Sequence, residues 1–256
     1  MDAVPFMETL QLAGRIIMEN GGETYRAEET ICRMGQGFGL REVESFAVPS
    51  GIFISYRNAA GELETGVKRV RRESRNLTRV NETNRISRQV AAGELDCAAA
   101  MEKLLEIEKM PGPYGRGWSI AAAFLCALGF AVLFGGAWAE MLTAGAAAAA
   151  VQAVSMLTEK AHMKWLASAI VGGFLTALLP WAASLVMPGL MTDVVIAGAV
   201  MPLVPGLAMT NAVQDAMRGD MVSGVSHGAQ ALLSACLVAG GALLCLGVIR
   251  LVGGSI

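Results

Sequence analysis

Residues 118–139 read WSIAAAFLCALGFAVLFGGAWA, a run that contains no charged side chain. A helix needs about 20 apolar residues to cross the hydrocarbon core of a bilayer, so this run predicts a transmembrane helix. Four further apolar stretches follow it, at 141–157, 165–187, 194–210 and 225–252. The sequence therefore predicts an α-helical integral membrane protein with about five transmembrane helices.

The residues before this run are far more charged. Of the 20 Lys and Arg residues, 16 lie at or before Arg116, and so do 17 of the 22 Asp and Glu residues. Pro111-Gly112-Pro113 separates the two parts because it cannot continue a helix. We therefore expect a soluble domain at 1–112 and a transmembrane domain at 113–256. Acidic residues are interleaved with the basic ones of the first part, so its charge does not support nucleic-acid binding.

Helical spacing of apolar residues occurs on both sides of a β-like region in the soluble part. The helical stretches are 5–20, 23–37, 80–92 and 95–109, and the β-like stretches are 43–48, 52–56 and 62–70. Pro49-Ser50-Gly51 is a turn sequence between the first two β-like stretches. This pattern predicts an N-terminal α+β domain.

The charges of the connections predict the orientation of the chain. Lys160, Lys164 and Arg218 lie in connections after the second and fourth apolar stretches, whereas the connections near Glu140 and at 188–193 have no Lys or Arg. Because basic loops face the cytoplasm, we expect the N-terminal domain in the cytoplasm and the C-terminus outside a bacterial cytoplasmic membrane. The N-terminus lacks the pattern of a signal peptide, which agrees with this orientation.

The fourth apolar stretch is interrupted within residues 200–220, VMPLVPGLAMTNAVQDAMRGD. Pro202 and Pro205 remove backbone donors, and freed backbone groups persist in hydrocarbon only where protein, water or a ligand satisfies them. Transporters place substrate sites at such broken helices. We assign the substrate pathway to Pro205, Gly206, Thr210 and Asn211, with Asp215 as a gate at the inner mouth. The alternative is a kinked, packed helix followed by an ordinary cytoplasmic loop.

Gln152, within the second apolar stretch, is a further candidate for the pathway. A polar side chain in a transmembrane helix has an alternative role, because it often hydrogen-bonds a neighbouring helix.

A second group of candidate residues lies in the soluble domain. Glu19, Glu23, Arg26 and Glu28 surround the Gly21-Gly22 turn. Paired carboxylates can perform acid–base chemistry, although acidic residues are also common where a helix begins. The sequence contains neither a P-loop nor a GxGxxG motif, and its five cysteines form no CxxC pair, so we predict no cofactor, metal site or disulfide framework.

Several of these stretches occur together in one family. Those in the N-terminal part are Ala13-Gly14-Arg15, Glu19-Asn20-Gly21, Glu23-Thr24-Tyr25-Arg26-Ala27-Glu28 and Pro49-Ser50-Gly51-Ile52-Phe53-Ile54-Ser55. Those in the later part are Pro205-Gly206-Leu207-Ala208, Thr210-Asn211-Ala212 with Asp215, Gly219-Asp220 and Ser223-Gly224. In order and spacing they resemble the bacterial threonine/serine exporter family, from about residue 8 to 250.

The resemblance implies secondary export of a small metabolite, either an amino acid of the threonine/serine type or a dicarboxylate such as succinate. Members with a single fused chain have about ten spans, so this chain resembles the larger subunit of the two-chain version. Its implied partner is a short multi-span membrane protein, in a hetero-oligomer. An odd number of spans would make a second half inverted, which is a common transporter plan.

Two other functions stay open from the sequence. One is a membrane-anchored enzyme whose soluble domain carries a hydrolase-like activity through Glu19, Glu23, Arg26 and Glu28. The other makes the soluble domain a sensor that regulates export.

Overall fold

The computed structural model describes residues 6–71, 74–112, 114–160 and 165–252, and the chain forms two compact units. The N-terminal unit consists of Met1–Pro113 together with Leu207–Ala229, and the membrane unit consists of Tyr114–Gly206 and Gln230–Ile256. One change of unit falls after Pro113, and the predicted division at 112 stays a prediction. However, residues 207–229, which we assigned to the transmembrane domain, group with the N-terminal residues.

The N-terminal unit contains the predicted α+β elements. Its helices and strands are α1 (Phe6–Glu19), α2 (Thr24–Gly37), β1 (Arg41–Val48), β2 (Gly51–Arg57), β3 (Leu63–Arg69), α3 (Leu77–Ala91) and α4 (Cys97–Lys109). Side chains at the two later helix starts satisfy backbone donors, because Asn76 accepts from Arg79 N and Asp96 accepts from Ala99 N at 2.8 Å.

The three strands form an antiparallel sheet in the order β1-β2-β3. Val48 pairs with Gly51 across the predicted turn. The alternation along β2 buries Ile52 and Ile54 against the helices and leaves Phe53 on the exposed face, as the twofold period of a strand requires. The core of the unit is built from these residues and from apolar residues of α1 to α4.

The remaining helices are longer and more apolar. They are α5 (Arg116–Leu133), α6 (Trp138–Lys160), α7 (Trp165–Ser184), α8 (Thr192–Val200), α9 (Gly206–Met217) and α10 (Met221–Leu251), with a 3-10 turn at Met201–Leu203 between α8 and α9. Within the described residues, four helices (α5, α6, α7 and α10) are long and apolar enough to cross a membrane. The α8–α9 pair can add a fifth span. The chain is thus a multi-pass helical membrane protein with four or five spans.

Two of the predicted spans differ from the observed helices. The first, 118–139, ends at Leu133 because Gly135 adopts a left-handed conformation (φ +83°) and Trp138 already begins α6. The fourth, 194–210, is divided between α8 and α9, since neither Pro202 nor Pro205 can donate the backbone hydrogen bond that a continuous helix needs at its position.

Small residues allow the membrane helices to approach closely. A Cβ atom on Gly173 would lie 2.0 Å from Val238 O, and one on Gly241 would lie 2.2 Å from Ile170 O. Helix α7 and helix α10 therefore touch through their backbones, and small residues are typical of such contacts between membrane helices. Alanines fill a second contact among α5, α6 and α8.

Candidate functional site

The turn between α1 and α2 is held by Asn20. Its side-chain amide donates to Ile16 O at 2.7 Å, and its backbone carbonyl oxygen accepts from Asn76 N at 3.2 Å. Gly21 follows with φ +84°, a conformation that favours glycine. The turn therefore fixes the positions of the Gly21 carbonyl and of Thr24, the first residue of α2.

The hairpin formed by α9 and the first turns of α10 has an equally specific geometry. Gly219 has φ +90°, and the Asp220 carboxylate accepts from Ser223 N at 3.1 Å at the start of α10. A Cβ atom on Gly224 would lie 3.0 Å from Ala212 O, so a glycine at this position lets the two helices pack closely. Gly219, Asp220 and Gly224, which belong to the motifs that follow the helix break, thus determine the geometry of this hairpin.

Within the N-terminal unit, the turn and the hairpin meet through two hydrogen bonds. Asn211 Nδ2 donates to Gly21 O at 3.3 Å, and Thr24 Oγ1 donates to Asp215 Oδ2 at 3.3 Å. The same oxygen lies 2.9 Å from His227 Nδ1. Asp215 is fully buried, and the side chain of His227 is 13% exposed. The motif of the soluble domain and the motif of the broken span therefore form one polar site.

This site retains unused hydrogen-bonding capacity. Among the described residues, neither Asp215 Oδ1 nor Ser223 Oγ has a hydrogen-bond partner, although both atoms are buried. A buried polar atom without a partner is costly, and a carboxylate oxygen in this position is satisfied by water or by a cationic group. The arrangement can accept hydrogen bonds from an ammonium group.

Glu28 is a third ionisable residue beside the site. Its carboxylate accepts from Ala47 N at 2.7 Å. Burial raises the pKa of Glu28 above its ordinary value, and the negative charges of Asp220 and Asp215 raise it further, whereas the Ala47 N–H acts in the opposite direction.

The other candidates from the soluble domain have separate roles. Glu23 pairs with Arg26 through two hydrogen bonds, of 2.7 and 3.3 Å. Glu19 ends α1, and its backbone oxygen accepts from Ser74 N at 2.7 Å. Pro49 and Ser50 form the β1–β2 turn, where Ser50 O accepts from Val70 N at 3.1 Å, and Gly51 begins β2.

The remaining pathway candidates are placed as follows. Pro205 is buried and Gly206 is exposed at the break, whereas Thr210 is exposed on α9. Gln152 lines a cavity of about 450 Å³ in the membrane unit, together with Pro202 and Trp118. The structure therefore brings Gln152 close to the first proline of the break, and it brings Asn211 and Asp215 close to the α1–α2 turn.

Sequence reasoning did not single out Thr24 or His227. Thr24 lay in a motif that we read for its carboxylates. His227 is 12 residues after Asp215, a spacing that puts two residues together only across a hairpin. In the sequence, the pair Gly219-Asp220 could have indicated that hairpin, because glycine commonly ends a helix and aspartate commonly caps the start of the next one. The structure has Gly219 in the left-handed conformation and Asp220 as the cap of α10.

Metal binding has no support at this site. In the parts of the chain that the structure describes, no group of three or more His, Cys, Asp or Glu side chains could hold a metal ion.

Comparison with known proteins gives one consistent family. The chain matches the sequence family described as "Putative threonine/serine exporter" over residues 8–249. A curated relative named "Probable threonine/serine exporter", from Mycobacterium tuberculosis (strain ATCC 25618 / H37Rv), is 26% identical over 234 residues, which are 91% of this chain and 44% of that protein. A "Threonine/serine exporter" from Corynebacterium glutamicum is 27% identical over 167 residues, which are 62% of this chain and 33% of that protein.

The chain thus spans less than half the length of these two curated relatives. No solved structure matches it. Because the family match extends over nearly the whole sequence, this chain belongs to the threonine/serine exporter family.

Proposed function

We propose that the chain is a subunit of a secondary-active exporter of small metabolites, either threonine/serine-type amino acids or dicarboxylates such as succinate. The observation that carries this proposal is the buried Asp215, which accepts from Thr24 and contacts His227. Buried ionisable residues next to a broken span are typical of substrate or proton pathways. Family membership supports the same class of function.

In this proposal, α9 is the moving element at the inner end of the pathway. The contacts of Asn211 and Asp215 hold it against the α1–α2 turn. The negative charge of Asp215, which the Thr24 hydroxyl and His227 stabilise, also raises the pKa of Glu28. A cationic group that arrives at the buried carboxylate would therefore compete for the contacts that hold α9, which is the gating role proposed for Asp215.

The orientation of the chain is proposed from the charges of its connections. With α5, α6, α7, the α8–α9 pair and α10 as five crossings, the connections that contain Lys160, Lys164 and Arg218 would lie on one side of the membrane, and those near Glu140 and at 188–193 on the other. Because basic loops face the cytoplasm, the N-terminal unit would lie in the cytoplasm and the C-terminal end of α10 outside the bacterial inner membrane.

The fourth crossing would be interrupted within its length. Its first segment, the 12 residues from Thr192 to Leu203, rises only about 18 Å at 1.5 Å per residue, against a core of about 30 Å. The break at Val204–Gly206 would then fall within the depth of the bilayer, and its backbone groups would be available to a polar substrate. This argument supports Pro205 and Gly206 as pathway residues, with Gln152 on the neighbouring wall near Pro202.

A short multi-span membrane protein is the proposed partner. Met209, Val213 and Met217 are exposed on one face of α9, opposite the buried Asn211 and Asp215. Residues spaced by four lie on the same side of a helix, so α9 presents an apolar stripe on the side away from the α1–α2 turn. A second subunit that completes the pathway would cover this stripe.

The test is efflux from proteoliposomes loaded with labelled threonine, serine or succinate. Each load is tested with the chain alone and with the partner, with and without an imposed proton gradient. Gradient-stimulated efflux that requires the partner supports a two-chain exporter and identifies the substrate class. If a verified complex exports none of the three, the proposed substrates are wrong.

A variant connects the activity to the site. Asn211→Leu removes the amide that donates to Gly21 O, and we expect it to abolish efflux while the protein still inserts into the membrane. Asn81→Leu is the matched control, the same substitution at an exposed position on α3, and it should export at the wild-type rate. Wild-type efflux by Asn211→Leu would contradict the assignment of the pathway.

A further inference from the structure

A basic pocket lies within the N-terminal unit, apart from the Asp215–His227 pair. Its volume is about 470 Å³, within the usual size range of small-molecule sites. Its lining includes Tyr25, Arg26 and Arg33 from α2, Asn84 and Arg88 from α3, and Arg218 from the turn between α9 and α10. Four arginines therefore converge on one small volume.

Two of these arginines are neutralised by nearby carboxylates. Arg26 pairs with Glu23 at 2.7 Å, and Arg33 pairs with Glu29. Arg88 and Arg218 form no ion pair with any residue in the described part of the chain. The pocket therefore carries an excess of two positive charges.

The arginines are also held in defined orientations. Arg33 Nη1 donates to Asn84 Oδ1 at 3.3 Å, and the Arg218 guanidinium lies 3.6 Å from the centroid of the Tyr25 ring. A guanidinium stacked on an aromatic ring keeps its N–H edge available, and that edge matches carboxylate and phosphate oxygens. Arg218 is thus positioned for an oxyanion while its planar face is occupied.

We propose that this pocket binds a small dianion, either a dicarboxylate or a phosphate. Two unpaired guanidinium groups match two negative charges, and the volume accommodates a molecule of that size. A zwitterionic amino acid has a single carboxylate, and its ammonium group would meet an excess of positive charge. The pocket therefore selects dianions over the neutral amino acids that the family name indicates.

Binding would link α3 to the α9–α10 turn, because Arg88 and Arg218 lie on these two elements. The same hairpin carries Asp215 and His227. A dianion in the pocket would therefore hold the hairpin against the soluble domain and slow export. This regulatory step rests on the proposed transport function, whereas the binding step does not.

The binding step is tested by calorimetric titration of the purified full-length chain in detergent at pH 8. The probes are succinate and inorganic phosphate, with threonine and acetate as comparisons. We expect one or both dianions to bind at least about ten-fold more tightly than acetate, and the comparison between them identifies whether the oxyanion is a carboxylate or a phosphate. Equal affinity for succinate, phosphate and acetate, or no binding of either dianion at 10 mM (on the order of the weakest useful affinity), overturns the proposal.

Variants locate the binding. Arg88→Gln and Arg218→Gln should each weaken dianion binding about ten-fold or more, since each removes charged donors from the pocket. Arg85→Gln is the matched control, because Arg85 lies one turn earlier on α3, pairs with Glu82 and does not line the pocket. If both pocket variants bind as the wild type does, the site is wrong even if a dianion binds elsewhere.

Efflux measurements distinguish the binding of the dianion from its proposed effect on export. Addition of the dianion on the cytoplasmic side should slow efflux by the wild type and leave efflux by Arg88→Gln unchanged. If the dianion binds at the mapped pocket and efflux is unaffected, only the regulatory step fails. If no substrate is exported under any condition but the variants still map the binding, the transport function fails and the dianion site stands.

Discussion

Asp215 Oδ2 lies 2.9 Å from His227 Nδ1 and also accepts the hydroxyl of Thr24, a residue 191 positions earlier in the chain. One buried carboxylate oxygen thus joins the start of α2 to both helices of the α9–α10 hairpin. The N-terminus of a helix favours a nearby negative charge, so α2 stabilises Asp215 beyond the single hydroxyl contact. The motif that contains Thr24 and the motif that contains Asp215 are far apart in the sequence, and both supply residues to this contact.

The first prediction concerns the hydroxyl of Thr24. Thr24→Val keeps the shape of the side chain but removes the donor to a buried carboxylate. We expect a loss of about 1–3 kcal/mol in stability, the usual cost of leaving a buried polar group without its partner. The measurement is the Tm of the purified chain in detergent.

Thr30→Val provides the control. Thr30 is buried on the same helix, and its hydroxyl has no hydrogen-bond partner among the described residues. Replacing an unsatisfied hydroxyl by a methyl group should leave the Tm unchanged or raise it. Equal Tm changes for the two variants would mean that the Thr24–Asp215 contact does not stabilise the protein.

The second prediction concerns the charge of Asp215. Asp215→Asn keeps an oxygen that can accept from Thr24 but removes the negative charge beside His227. If this charge gates the pathway, the variant should export about ten-fold more slowly than the wild type, because a hydrogen bond to a buried charged group is worth about 1.5–3 kcal/mol. The measurement is the initial efflux rate from proteoliposomes at one fixed pH.

Asp220→Asn is the matched control for that experiment. Asp220 caps α10 on the same hairpin, and asparagine is an equally good capping residue. We expect this variant to export at the wild-type rate. If Asp215→Asn exports as fast as Asp220→Asn, the charge of Asp215 does not gate the pathway.

Much of the fold is predictable from the sequence because it depends on local patterns. Apolar length identifies α5 to α7 and α10, and alternation identifies β1 to β3 with the turn at Pro49-Ser50. The interruption of the fourth span also follows from Pro202 and Pro205. These features arise from residues that are neighbours in the chain.

The site itself is less predictable because its contacts join distant segments. Nothing near Asp215 in the sequence indicates that the start of α2 would bury it, and we expected this carboxylate as a gate at the inner mouth of the pathway. Gln152 illustrates the same difficulty, since its closeness to Pro202 depends on how α6 packs within the membrane unit. Long-range packing, rather than local propensity, determines both positions.

The third prediction concerns the pH dependence of stability through Glu28. Its pKa is raised in the folded state, so between the ordinary value of 4.5 and the raised value the folded chain binds more protons than the unfolded chain. Stability therefore falls as the pH rises through this window, and it stays lower above it. Glu28→Gln removes the titration and keeps an oxygen that can accept from Ala47 N.

We therefore expect Glu28→Gln to have a higher Tm than the wild type at pH 7 to 8, roughly three units above the ordinary pKa of Glu. The difference should shrink as the pH is lowered toward 4.5. Thermal unfolding of both proteins across this range is the measurement. A constant difference at all pH values would show that Glu28 does not titrate with a raised pKa.

The fourth prediction concerns the backbone contact between α7 and α10. Gly241→Ala would place a Cβ atom 2.2 Å from Ile170 O and 2.9 Å from Phe174 N, so the two helices would have to separate. Overpacking of this kind costs about 1–3 kcal/mol or more, and the Tm in detergent should fall accordingly. Gly240→Ala is the control at the adjacent position, where a Cβ atom would meet no described atom within 4 Å. Since alanine favours a helix over glycine by about 1 kcal/mol, the control should be neutral or slightly stabilising. If Gly241→Ala is as stable as Gly240→Ala, the two helices do not pack as closely as the structure indicates.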